Sequence, residues 1–335
     1  MSDNEVSRSN GHASSTVAPK RSRAVVPPWL RQLRTLRAIL TLTLMVVAVV
    51  GFNVAQLLSL IVLPFSRKHV MLFNGRIAGL TWYTMQWYFE RIAKGKVTFS
   101  GDRLPEKENA ICFSNHVGWT DFYLLHSLAT RKKMQSSCKY FCKDSLKWLP
   151  GFGWGMWLMG MIFLKRDWTS DKNKIEDIFR ALKTTRIPVW IVSYLEGTRI
   201  TKQKLAESQA FAKERGLPVL KNVLIPRTKG FIATVNSFRN TQVRAIYDFT
   251  IAYYDNDRGF QTPPSIVRVH ETTVNNDFKY HVHVRRYLIE DLPSDDEELH
   301  KWVMERYIEK DAFLEELKER WTEGKTLLVE ESPFW

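Results

Sequence analysis

Ala110-Ile111-Cys112-Phe113-Ser114-Asn115-His116-Val117-Gly118-Trp119-Thr120-Asp121 is the stretch whose reading decides the fold. Residues 110–113 form a short apolar run that reads as a buried strand, Ser114 and Asn115 are turn formers, and Trp119 to Leu128 open an apolar helix. The same stretch sets an imidazole five residues ahead of a carboxylate. On a regular helix His116 and Asp121 would diverge by roughly 140°, so they meet only if His116 lies in the turn before the helix. A strand-turn-helix junction of this kind holds His116 at one edge of a sheet.

An imidazole with a carboxylate on one nitrogen keeps the other nitrogen free to accept a proton, which makes a hydroxyl nucleophilic near neutral pH without a serine or cysteine. A buried histidine bonded to a nearby turn carboxylate has the same spacing, so the pair takes its meaning from the downstream sequence. Three further segments stand out there: Gly160-Met161-Ile162-Phe163-Leu164-Lys165-Arg166, Ile191-Val192-Ser193-Tyr194-Leu195-Glu196-Gly197-Thr198-Arg199, and Val223-Leu224-Ile225-Pro226-Arg227-Thr228-Lys229-Gly230. Each is an apolar strand that ends in polar or cationic residues.

These four blocks, in this order and at these distances, resemble the glycerolipid acyltransferase family, which transfers acyl chains from acyl-CoA to lysophospholipids. The resemblance continues through Lys202 to Arg239, with Gly216-Leu217-Pro218 and Ser237-Phe238-Arg239-Asn240, and through the tail from His283-Val284-Arg285-Arg286 to Glu309-Lys310-Asp311-Ala312. There the chain looks like the eukaryotic 1-acylglycerol-3-phosphate acyltransferases, closest to the longer ones. The likeness covers roughly residues 75 to 320.

The resemblance implies a catalytic role for His116 as general base and for Asp121 in holding its tautomer. It implies substrate binding by Arg166, Glu196, Gly197, Thr198 and Arg199, with Arg199 clamping the phosphate of the acyl acceptor. The chemistry of these residue types agrees. An acyl-CoA thioester is already activated, so the enzyme must deprotonate a glycerol hydroxyl, orient it and stabilise an oxyanion. A guanidinium offers two parallel donors to phosphate, Thr198 adds a hydroxyl, and Gly197 lets the backbone approach. Glu196 cannot bind phosphate; orienting Arg199, orienting Arg166 and bonding the glycerol hydroxyl all remain open to it. A surface ion pair accounts for an isolated Glu-Gly-Thr-Arg equally well. The family often places Pro before Glu-Gly-Thr, whereas this chain has Leu195, a departure expected to matter little. Pro226 is expected to shape a turn lining the acyl pocket.

Lys and Arg number 49 against 35 Asp and Glu, a net charge of +14. That balance favours nucleic acid, anionic lipid or a polyanionic substrate. The cations match no nucleic-acid motif, so the expected partners are membrane lipid, acyl-CoA and a lysophospholipid acceptor, with no nucleic acid. Three cysteines, Cys112, Cys138 and Cys142, make a disulfide framework unsuited and fit a reducing compartment. Cys138 and Cys142 are spaced to lie one helical turn apart. His116 and His126 are the only imidazoles near them, too few for a metal site, so no metal is expected. No cofactor is expected either, acyl-CoA being a substrate.

Residues 1–28 read as a disordered basic tail without a signal-peptide pattern. Ala38 to Ser66 is uncharged over 29 positions, where a membrane span needs about 20. Gly51, Asn53 and Gln56 interrupt it, so it reads either as one spanning helix or as two half-helices dipping into one leaflet. Cations flank both ends about equally. Val70 to Ile92, rich in aromatics, reads as an interfacial helix. In Trp148 to Met161, Trp148, Trp154 and Trp157 alternate with glycines, which fits either a lipid-admitting surface or internal packing.

Strands near 110–114, 161–164, 189–195, 222–226, 242–253 and 280–287 alternate with helices near 119–130, 172–185 and 201–215, and a helix over 296–319 comes after them. The fold class expected is α/β: a mixed sheet flanked by helices on both faces, with an N-terminal membrane-anchoring helical segment. The expected division is a tail (1–28), an anchoring region (29–95), a catalytic domain (96–290) and a C-terminal helical extension (291–335). The function expected is acyl-CoA-dependent acylation of the sn-2 hydroxyl of lysophosphatidic acid, giving phosphatidic acid at the endoplasmic reticulum membrane. The alternatives are acylation of lysocardiolipin or lysophosphatidylinositol, and a catalytically inactive membrane scaffold on the same fold.

Overall fold

The computed structural model describes residues 27–149, 151–165 and 168–325. The expected tail lies outside them apart from Pro27 and Pro28, and Arg166 lies outside them too. In chain order the strands are β1 (Val97–Gly101), β2 (Ala110–Ser114), β3 (Cys138–Lys143), β4 (Ile162–Leu164), β5 (Trp190–Tyr194), β6 (Ala245–Asp255), β7 (Gly259–Phe260) and β8 (Phe278–Leu288). The helices are α1 (Pro28–Ser59), α2 (Arg67–Trp87), α3 (Asp121–Arg131), α4 (Phe152–Leu158), α5 (Trp168–Thr185), α6 (Lys202–Glu214), α7 (Lys229–Phe238), α8 (Ile266–Glu271) and α9 (Asp296–Thr322).

The strands form one mixed sheet in the order β1-β8-β6-β2-β5-β3-β4, with β7 hairpinned onto β6. β8 runs antiparallel to β6, and the neighbours of β2 and β5 are all parallel. Fully buried strands alternate their side chains between two cores. On β2, Ala110 and Cys112 join Tyr123, Leu124 and Leu128 of α3 on one face. Ile111 and Phe113 join Phe179 of α5, Phe231 of α7 and Tyr307 of α9 on the other. Helices therefore cover both faces, as expected from the alternation.

Three expectations are corrected. Residues 222–226 are not a strand. Their N–H groups are taken by side chains instead: Asn222 N–H donates to Asp311 Oδ1 at 2.6 Å and Ile225 N–H to Ser208 Oγ at 3.0 Å. Leu220 and Val223 are apolar because they pack in the core beside α9. Cys138 and Cys142 lie on β3, four residues along a strand rather than one helical turn apart. The strands β1, β3 and β7 and the helices α4, α7 and α8 were not anticipated. β3 was hidden by Lys139, a buried cation whose ammonium donates to the Met159 carbonyl.

α1 is unbroken through Gly51, Asn53 and Gln56 and runs on as a 3-10 turn to Val62. The stretch Pro28–Val62 has a mean hydropathy of 2.3 in its most apolar window, which is only 11% buried, so it is a candidate membrane helix. The polar residues that suggested two half-helices face the protein: Asn53 Nδ2 donates to the Gly151 carbonyl at 2.7 Å. Thr41 and His270 bond across α1 and α8 at 3.2 Å. The opposite face of α1 leaves Leu36, Ile39, Leu44, Val47, Val54 and Leu58 exposed. Trp148, Trp154 and Trp157 are 72%, 49% and 58% exposed, which assigns that segment to the outer surface rather than to the core. α2 buries Trp82 and leaves Phe73, Tyr83 and Trp87 exposed.

Candidate active site

β2 and β5 are parallel neighbours in register, with Ser114 opposite Tyr194. The loops leaving them therefore emerge at the same sheet edge, which brings His116 and Glu196 together. Asn115 fixes the exit from β2. Its side chain donates to the Ile251 carbonyl at 2.9 Å and accepts the Ile251 N–H at 2.7 Å, continuing the β6 pairing past the end of the strand. His116 is then held by its own backbone: its N–H donates to Glu196 Oε1 at 3.2 Å and its carbonyl accepts the Ile200 N–H at 2.8 Å.

Asp121 is the first residue of α3, and His116 does lie in the turn before it. His116 Nδ1 and Asp121 Oδ2 are 2.7 Å apart. The carboxylate also accepts the Val117 N–H at 2.8 Å on Oδ2 and the Gly118 N–H at 2.9 Å on Oδ1. Tyr253 adds a fourth contact, donating its hydroxyl to Oδ1 at 2.8 Å. Burial first, then the neighbouring Asp121, pushes the Tyr253 hydroxyl well up, so it stays a donor. With three other groups donating to this carboxylate, its contact with the ring takes the proton on Nδ1, and Nε2 is left as the acceptor of the imidazole. A Cβ on Gly118 would come within 2.6 Å of the Pro263 ring, so glycine is required where this turn passes under the 263–264 loop.

The imidazole stacks on Tyr194 with centroids 4.1 Å apart and planes inclined by 16°. Tyr194 and Tyr253 were both missed by sequence reasoning. Tyr194 lies within the Ile191 to Arg199 block but reads as an ordinary strand residue. No local pattern links Tyr253 to a turn 132 residues away.

Glu196 turns inward. It is 3% exposed and bonds the His116 backbone, rather than approaching Arg199. Burial raises its carboxyl well above the usual range, against the pull of its backbone donors. Gly197 adopts φ +68°, a backbone conformation glycine favours, and Arg227 lies over it. Arg199 is exposed, its guanidinium 5.0 Å from the centre of the Trp119 ring. Thr198 is half-buried beside them.

His116, Tyr194, Gly197 and Arg199 line a cavity of about 1180 Å³. Its exposed cations are Arg199, Arg227, Lys229 and Lys143. Its apolar wall combines Leu42, Met45, Val46 and Val49 of α1 with Phe152 and Met156 of α4. Pro226 is part of the lining. A space this large, apolar on one side and cationic on the other, with an imidazole between, fits a long-chain molecule bearing an anionic head. Among the described residues no group of three or more His, Cys, Asp or Glu side chains could hold a metal ion.

Residues 96–254 match the family model described as Acyltransferase, and residues 275–327 the one described as Acyltransferase C-terminus. The chain is 34% identical over 268 residues to 1-acyl-sn-glycerol-3-phosphate acyltransferase 3 of Arabidopsis thaliana, covering 78% of this chain and 69% of that one. It is 36% identical over 225 residues to 1-acyl-sn-glycerol-3-phosphate acyltransferase delta of Homo sapiens, covering 67% of this chain and 57% of that one. Among solved structures it is similar to a 1-acyl-sn-glycerophosphate acyltransferase from Thermotoga maritima, with a TM-score of 0.43 and 14% identity over 89% of this chain and 97% of the other.

Proposed function

The chain belongs to the 1-acyl-sn-glycerol-3-phosphate acyltransferases of the Acyltransferase family, and from that premise we propose that it transfers a fatty acyl chain from acyl-CoA to the sn-2 hydroxyl of lysophosphatidic acid, giving phosphatidic acid. The observation that carries this reading is the 2.7 Å contact of His116 with Asp121 in the wall of a cavity that joins exposed cations to an apolar interior.

In the proposed reaction, His116 Nε2 takes the proton of the acceptor hydroxyl as its oxygen attacks the thioester carbonyl carbon. The imidazolium that forms is stabilised by Asp121, which keeps its orientation fixed. When the C–S bond breaks, the same nitrogen returns the proton to the departing CoA thiolate. Protons and electron pairs balance without a covalent enzyme intermediate. Arg199 binds the acceptor phosphate, and the apolar wall takes the acyl chain. Arg166 is proposed as a second phosphate or CoA contact by resemblance alone. Glu196, Gly197 and Thr198 belong to the substrate-binding loop, where Glu196 supports the His116 backbone.

The candidate membrane helix supports a membrane setting, which we assign to the endoplasmic reticulum. The test is acyl transfer by purified protein in liposomes with oleoyl-CoA and, in parallel, lysophosphatidic acid, lysocardiolipin and lysophosphatidylinositol, with His116→Ala as control. Turnover of lysophosphatidic acid that disappears in the variant supports the reading. Turnover of another acceptor replaces the substrate, and activity unaffected by the variant removes His116 from the chemistry.

A further inference from the structure

The paired arginines of this protein are mostly structural. Arg131, Arg258, Arg268, Arg285, Arg286 and Arg306 each bond a carboxylate. At the cavity the pattern reverses. Arg199, Arg227 and Lys229 are exposed, line the same space, and have no carboxylate partner among the described residues. Glu196, the acidic residue next to them in the chain, is buried, with Oε1 accepting the His116 N–H. The acid of the lining, Asp171, is buried and accepts the Lys165 N–H at 3.0 Å; exposed like charges that share a space repel one another unless an anion joins them.

Arg227 is also held in position. Its N–H donates to the Leu195 carbonyl at 2.7 Å, tying it to the end of β5. Its aliphatic stem crosses Gly197, where a Cβ would sit 3.3 Å from Arg227 Cδ. The φ of +68° at Gly197 therefore does two things: it turns the loop that carries Arg199, and it leaves room for the stem of Arg227. The two guanidiniums thus belong to one construction, although they are 28 residues apart in sequence.

We propose that Arg227 is a phosphate-binding residue of this cavity, acting beside Arg199 on the phosphate groups of the substrates. This rests on the acyltransferase reading of the cavity and adds a residue to it. A phosphate monoester carries a charge of about −1.5 to −2 at neutral pH, more than a single guanidinium offsets. The nucleotide end of acyl-CoA presents the same chemistry, so two sources of phosphate compete for the assignment, and kinetics separates them.

The experiment compares wild type, Arg227→Gln, Arg227→Lys and Arg199→Gln in liposomes, measuring kcat and both KM values. The expected result for Arg227→Gln is a roughly 10- to 100-fold rise in one KM with kcat within about two-fold, the scale of a lost hydrogen bond to a charged group. A rise for lysophosphatidic acid assigns the acceptor phosphate, and the same variant then narrows discrimination against monoacylglycerol by the same factor. A rise for acyl-CoA assigns the donor, and the effect then vanishes with an acyl-pantetheine donor that lacks the nucleotide phosphates. Both KM values unchanged, or a loss confined to kcat, overturns the proposal. Arg227→Lys keeps the charge and reports on folding: it retains most of the affinity if charge is what matters. Should wild type fail to acylate lysophosphatidic acid, the acceptor reading fails; equilibrium binding of free CoA and of lysophosphatidic acid to wild type and Arg227→Gln then still decides the role of Arg227.

Discussion

Tyr253 and Asp121, on β6 and α3, meet at 2.8 Å between the phenol oxygen and Oδ1. The contact orients a carboxylate whose other oxygen faces the His116 ring. The β6 strand thus fixes the hydrogen-bond acceptor of a residue just beyond β2, and does so from the far side of the turn.

Tyr253→Phe removes that contact while leaving the two backbone donors in place. A hydrogen bond to a charged group contributes about 1.5–3 kcal/mol, so kcat is expected to fall by roughly 10- to 160-fold with both KM values unchanged. Steady-state kinetics in liposomes checks this, and a rise in KM with constant kcat would place Tyr253 on the substrate instead.

Asp121→Asn exchanges an all-acceptor group for one that is half donor. The imidazole then has no reason to keep its proton on Nδ1, and the nitrogen that should accept becomes a donor. Loss of a positioned base is expected to lower kcat by about 10²- to 10⁴-fold, approaching His116→Ala, and the double variant is expected to be no worse than His116→Ala.

Glu196 predicts a pH dependence of stability. Its carboxyl is raised in the folded state, mainly by burial, so the fold binds a proton there that the unfolded chain releases. That contribution is fully present below the ordinary carboxylate range near 4.3 and is lost as pH rises toward the folded-state value. Glu196→Gln keeps an acceptor for the His116 N–H without a titrating group. The melting temperature of Glu196→Gln relative to wild type is expected to rise as pH increases from 5 to 9; a constant difference would count against a buried, protonated Glu196.

Lys310 of α9 is 2% exposed and donates to Asp248 Oδ1, the Phe249 carbonyl at 2.7 Å and Thr250 Oγ1 at 3.0 Å. Lys310→Met leaves Asp248 buried without its cation, at a cost of about 3–5 kcal/mol. Denaturant midpoints in detergent check this, and adding Asp248→Asn is expected to recover part of the loss.

The sequence made the His116–Asp121 turn, the alternating sheet and α9 legible because each is a local pattern: an apolar run, a turn former, a helical period. It misplaced residues 222–226 because Leu220, Val223 and Leu224 carry strand-like apolarity while their backbone is satisfied by side chains from α6 and α9. It missed Tyr253 and Arg227 for a different reason. Both lie against residues distant in sequence, Tyr253 through β6 beside β2 and Arg227 through its stem over Gly197, and neither contact leaves a local trace. The inward turn of Glu196 was equally hidden, since Glu-Gly-Thr-Arg reads the same whether the carboxyl faces solvent or the sheet.

The candidate membrane helix of this protein is also one wall of the cavity that His116 lines, through Leu42, Met45, Val46 and Val49. Cutting the chain after residue 66 to obtain a water-soluble version would remove that wall along with the candidate span. The candidate span and the cavity therefore cannot be divided between separate pieces of this chain, and substitutions on the inner face of α1 change the cavity wall as well as the helix.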